Sequence, residues 1–113
     1  MGKRNLREKN EERNSLAYIV YEYCEKQDLF SYVASRGTVG DEGLCHALFY
    51  QLISSLNYLH SVCNMAHLDI KLENIVVDSH YSLKLIDFAY CEERRTKMTI
   101  SKGTERYFAP EVA

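Results

Sequence analysis

His67-Leu68-Asp69-Ile70-Lys71-Leu72-Glu73-Asn74 stands between two stretches of opposite periodicity. On its N-terminal side, Leu44, Leu48, Leu52, Leu56 and Leu59 recur at steps of three and four, with Ala47 and Ile53 beside them. That spacing predicts a helix over 41–60, largely buried, with Asp41 and Glu42 at the positive end of its dipole. On the C-terminal side come Ile75-Val76-Val77 and Leu83-Lys84-Leu85-Ile86, flanking the turn-rich Asp78-Ser79-His80-Tyr81-Ser82. Two short β-branched or apolar runs around such a turn predict a hairpin. The quoted octet, rich in groups that carry chemistry, is thus a loop between a helix and a strand.

Further out, Leu16 to Tyr23 is aromatic and β-branched and predicts a buried strand. Asp28 to Ser35 predicts a short helix with Asp28 as its N-cap, followed by a turn at Arg36-Gly37-Thr38-Val39-Gly40. Residues 1–15 are almost all polar, with Leu6 the one sizeable apolar side chain after Met1, and read as a solvated tail. The stretch from Glu92 to Lys102 is polar and loop-like. Strand, helix, helix, hairpin and loop make an α+β arrangement.

Composition narrows the function classes. The net charge of -2 gives no electrostatic footprint for nucleic acid or an anionic membrane. No apolar run approaches the ~18 residues of a membrane span. Cys24, Cys45, Cys63 and Cys91 form no C-x-x-C pair and no metal-ligand spacing with the histidines, so they read as reduced thiols of a cytoplasmic or otherwise intracellular protein.

Eighteen positions after Asp69 comes Asp87-Phe88-Ala89, then Gly103-Thr104, then Ala109-Pro110-Glu111. In this order and spacing the set resembles the catalytic loop, metal-binding loop and activation-segment end of eukaryotic-type serine/threonine protein kinases. The likeness runs over residues 16–113. It implies an incomplete kinase-like fold: the hinge strand plus the first half of the helical large lobe. Lys71, two residues after Asp69, and the Gly103-Thr104 pair are similar to the serine/threonine rather than the tyrosine class.

The resemblance implies roles residue by residue. Asp69 would orient and deprotonate the substrate hydroxyl, and Lys71 would neutralise charge on the transferred phosphate of ATP. Asn74 and Asp87 would be Mg²⁺ ligands. Thr104 would hydrogen-bond near Asp69 and Lys71. Tyr21-Glu22-Tyr23-Cys24 resembles the hinge, where backbone groups of Glu22 and Cys24 would bind adenine over an apolar floor at Val76. Asp28 matches a position near the ribose and near basic substrate residues, and capping its own helix is the equal alternative. With Glu73, it suggests protein substrates carrying arginine before the phosphorylated Ser or Thr.

Leu68 and Ala89 depart from the family pattern. Leu68 stands where an arginine usually pairs with an activation-loop phosphate, for which Thr96, Thr99 and Ser101 are the candidate sites here. Ala89 stands where the third residue is usually glycine. Residues 1–15 hold no Gly-rich phosphate loop and no strand with an anchoring lysine, so the chain reads as a catalytic-domain fragment, inactive by itself. The competing expectation is a kinase-like module that binds without catalysing.

Overall fold

A computed structural model describes residues 17–94 and 102–112. Its elements in chain order are β1 (Lys26–Asp28), α1 (Leu29–Arg36), α2 (Glu42–Ser61), β2 (Met65–Ala66), β3 (Ile75–Val77), β4 (Leu83–Leu85) and β5 (Glu92–Glu93), with 3-10 turns at Leu72–Asn74 and Glu105–Tyr107.

Both helices begin where the sequence supplies a capping carboxylate. The Asp28 side chain accepts the Ser31 N–H at 2.9 Å and that of Asp41 accepts the Leu44 N–H at 2.8 Å. Each satisfies one of the orphan donors of a helix start. Gly37 closes α1 in the left-handed region, φ 74°, and its N–H reaches Val33 O at 2.7 Å. This is the C-cap glycine geometry.

Two antiparallel sheets form, one ordered β1-β3-β4 and the other pairing β2 with β5. In the hairpin, Ile75 pairs with Leu85, Val76 with Lys84 and Val77 with Leu83. Strand alternation sends Ile75 and Val77 inward, where both are buried, and leaves Val76 on the opposite face. Asp78 builds the connecting turn: its carboxylate accepts the N–H groups of His80 and Ser82, each at 2.9 Å. The core is Leu29, Leu48, Ile75, Val77 and Leu83, with Tyr32, Leu44, Leu52 and Leu72 packed around it.

One polar clasp joins helix to hairpin. The Gln51 amide donates from Nε2 to Tyr81 O at 3.0 Å and accepts at Oε1 from Leu83 N–H at 2.9 Å. It thereby bonds two backbone groups at the start of β4.

Two expectations about burial are corrected. Helix α2 matches the predicted span within a residue, but Leu48 is its one fully buried side chain, and Phe49, Tyr50, Ile53 and Tyr58 are exposed. A single helix laid on a small hairpin buries one stripe, and no other described element covers its far side. The segment Ala17–Cys24 carries no regular secondary structure, and Tyr18, Ile19, Val20, Tyr21 and Tyr23 are exposed. A buried strand requires partners along its edges, and among the described residues none pairs with it. The tail 1–15, Leu16 and the loop positions Thr96, Thr99 and Ser101 lie outside the described residues.

Candidate active site

The catalytic-loop octet is held from beneath by His67. Its ring is 1 % exposed, accepts the Asp69 N–H at Nδ1 (3.2 Å) and meets Ile86 O through Nε2 at 2.9 Å. With Nδ1 as acceptor, the proton sits on Nε2 and is donated to Ile86 O. The ring also lies 4.9 Å from that of Phe88, at a tilt of 59°. One imidazole therefore couples the loop carrying Asp69 to the strand end carrying Asp87.

Asp69 is buried, and donors converge on it. Thr104 Oγ1–H donates to Oδ1 at 2.6 Å. Asn74 Nδ2 donates to Oδ2 at 3.0 Å and to the Asp69 carbonyl at 2.9 Å. Lys71 Nζ lies 3.3 Å from Oδ2 and donates to Thr104 Oγ1 at 2.7 Å. Burial works to raise the Asp69 pKa, but Thr104, Lys71 and Asn74 outweigh it and hold the carboxyl below its ordinary value. A carboxylate has about four acceptor positions. Three are filled, which leaves one for an incoming hydroxyl. A pocket of about 250 Å³ opens beside Asp69, with Leu68, Lys102, Thr104 and Phe108 in its wall.

One positive φ and one close backbone approach fix this arrangement. Leu68 takes φ 66°, in the left-handed region that non-glycine residues seldom occupy. Gly103 lies against it so tightly that a Cβ would sit 2.3 Å from Leu68 O. Thr104 can reach Asp69 because the residue before it has no side chain.

Asp87 also has positive φ, 59°, and its Oδ1 accepts the Ala89 N–H at 3.3 Å. Its side chain is exposed and lines a cleft of about 620 Å³ together with Tyr21, Glu22, Tyr23, Cys24, Val76, Lys84, Leu85 and Ile86. That is within the usual size range of small-molecule sites. Val76 and Lys84, paired across β3 and β4, face this space. Lys84 forms an ion pair with Glu22, which raises the Lys84 pKa.

The structure thus gathers Asp69, Lys71, Asn74 and Thr104 into one network, and gathers Glu22, Cys24, Val76 and Asp87 around one cleft. Asp28 is not in that lining. Both of its carboxylate oxygens serve Ser31, one the N–H and the other the hydroxyl at 2.8 Å. The donors suit Mg²⁺, which binds one or two carboxylates and keeps several waters. Asn74 spends its NH₂ on Asp69, so Oδ1 is the oxygen that would face a cation. Asp87 brings an exposed carboxylate. No cluster of three or more His, Cys, Asp or Glu that would suit a dedicated protein cage occurs among the described residues.

Sequence reasoning did not find the bridging role of His67, the contact of Gly103 with Leu68, the Gln51 clasp or an ion pair between Lys102 and Glu92. The signal for the second was present: a glycine directly before a residue expected at the site often marks a close backbone approach.

Comparison with known proteins agrees with this geometry. The family model described as the protein kinase domain matches residues 6–113. The chain is 36 % identical over 105 residues to maternal embryonic leucine zipper kinase of Danio rerio, covering 89 % of this chain and 15 % of that protein. It is 39 % identical over 101 residues to serine/threonine-protein kinase CHK1 of Saccharomyces cerevisiae, covering 84 % and 19 % respectively. A third relative is serine/threonine protein kinase OSK3 of Oryza sativa, 38 % identical over 98 residues. The chain therefore spans less than a fifth of the length of these curated relatives. With its catalytic-loop network and the family match over nearly its whole length, this chain belongs to the protein kinase family.

Proposed function

We propose that the protein containing this chain transfers the γ-phosphoryl group of ATP to serine or threonine hydroxyls of proteins. The observation that carries the reading is the network around Asp69. Phosphoryl transfer asks for alignment and charge neutralisation more than for covalent help. Asp69, ionised and with one acceptor position left, would orient the substrate hydroxyl and take its proton. Lys71, 20 % exposed at its side chain, is close enough to turn from Thr104 toward a phosphoryl oxygen. Thr104 fixes both. Asn74 and Asp87 would hold Mg²⁺, which when bound offsets the negative charge of the phosphates. Glu22 and Cys24 would offer backbone groups to adenine, with Val76 beneath it.

Arginine preference in the substrate is the finer part of the proposal. Glu73, exposed beside the catalytic loop, is the carboxylate that would attract it, since Asp28 is committed to capping α1. Leu68 and Ala89 favour a second reading, a kinase-like binding module. The experiment is phosphotransfer by the full-length protein, wild type against Asp69→Asn and Asp87→Ala. Incorporation into a protein substrate that both variants abolish supports the enzyme. ATP binding without turnover in wild type supports the binding module and overturns the enzyme reading.

A further inference from the structure

The segment that delivers Thr104 to the site is fastened by charge. Lys102 forms an ion pair with Glu92, and the two side chains are 36 % and 23 % exposed, so solvent screens the pair only in part. Glu92 belongs to β5, where it pairs in register with Ala66 of β2. Ala66 directly precedes His67, the residue that holds Asp69 from beneath. Glu92 is therefore anchored to the same backbone as the catalytic loop. Lys102 directly precedes Gly103, whose contact with Leu68 O admits no side chain. The ion pair thus ties the outgoing limb of the segment, at Glu92, to its returning limb, two residues before Thr104.

We propose that the Glu92–Lys102 ion pair positions Thr104 against Asp69 and Lys71. Glu92 and Lys102 are positioning residues and touch no reacting atom. The catalytic consequence rests on the kinase reading above, while the clasp itself rests on the geometry of the segment.

The test uses the full-length protein with Glu92→Gln, Lys102→Met, the charge reversals Glu92→Lys and Lys102→Glu, and the double reversal. Two readouts are needed: hydrogen exchange of the peptide spanning 103–108, and kcat with KM for ATP. Each single variant is expected to speed exchange in that peptide and to lower kcat about three- to tenfold, with KM for ATP little changed. The double reversal is expected to recover most of both losses, which a merely local packing role would not allow. The isosteric pair Glu92→Gln and Lys102→Met guards against misfolding of the reversals. Unchanged exchange and kcat in the single variants, or a double reversal no better than the worse single, overturns the clasp. Should wild type transfer no phosphate, the kinase reading fails alone, and the exchange data still decide the clasp.

Discussion

The Thr104 hydroxyl donates to Asp69 Oδ1 at 2.6 Å while accepting from Lys71 Nζ at 2.7 Å, so one oxygen links two residues more than 30 positions away in sequence. Removing it leaves Asp69 one donor short and Lys71 held by Asp69 alone. Hydrogen bonds to charged groups are worth about 1.5–3 kcal/mol. Thr104→Ala should therefore lower kcat by roughly one to two orders of magnitude. Thr104→Ser keeps the hydroxyl and should stay within a few-fold of wild type. Steady-state kinetics on both variants decides this, and equal losses in the two would show that the methyl group, not the hydroxyl, matters.

Two glycines with positive φ should respond very differently to alanine. Gly37, φ 74°, has nothing within 4 Å of an added Cβ, so Gly37→Ala should cost only about 1 kcal/mol, for the backbone conformation alone. Gly103, φ 108°, adds the collision with Leu68 O. Gly103→Ala should displace Thr104 and reduce phosphotransfer about as much as Thr104→Ala does. Urea denaturation and activity assays together separate the two: Gly103→Ala is expected to lose phosphotransfer and more stability than Gly37→Ala, which should be slightly destabilised but active.

Stability should fall in acid. The Asp69 pKa is depressed in the folded chain, as are those of Asp28, through the Ser31 N–H, and Asp78, through the Ser82 N–H. A depressed carboxylate contributes stability that is fully present above its unfolded value, about 3.9, and is lost as pH falls through the lower folded value. Asp69→Asn cannot titrate and should flatten the acid limb below about pH 4. Urea midpoints measured from neutral pH downward at constant ionic strength check it. Parallel curves for wild type and Asp69→Asn would contradict the assignment.

If Leu68 removes the cation that would read a loop phosphate, activity should survive loss of the loop's hydroxyls. The triple variant Thr96→Ala, Thr99→Ala, Ser101→Ala is expected to keep most of wild-type kcat. A loss as deep as that of Asp87→Ala would show that phosphate on this loop is read by some other group.

Much of the local structure was legible because local rules decide it. Asp28 and Asp41 mark the helix starts they cap, and the leucine spacing gives α2 to within a residue. Ile75–Val77 and Leu83–Leu85 form the hairpin that their β-branched and apolar character implies. Strands β2 and β5 have two residues each, too few to show any period. The expected burial of the strand does not hold over residues 17–23, because an apolar segment is buried by its neighbours, not by its own composition. At the site, motif order singled out Asp69, Lys71, Asn74 and Asp87, and the resemblance put Thr104 near Asp69 and Lys71, but the Asn74 amide's double contact with Asp69 was not legible. Contacts between residues 33 and 35 positions apart are set by the path of the chain, which spacing along a sequence does not encode.

The Gln51 amide faces a carbonyl on one side and an N–H on the other, and so distinguishes a donor from an acceptor at the edge of the hairpin. Deamidation would leave its size unchanged and replace the NH₂ by a second acceptor, set against Tyr81 O. One spontaneous hydrolysis, adding about one mass unit and one negative charge, would therefore loosen helix from hairpin. The joint between α2 and the hairpin thus depends on which atom of one side chain carries hydrogen.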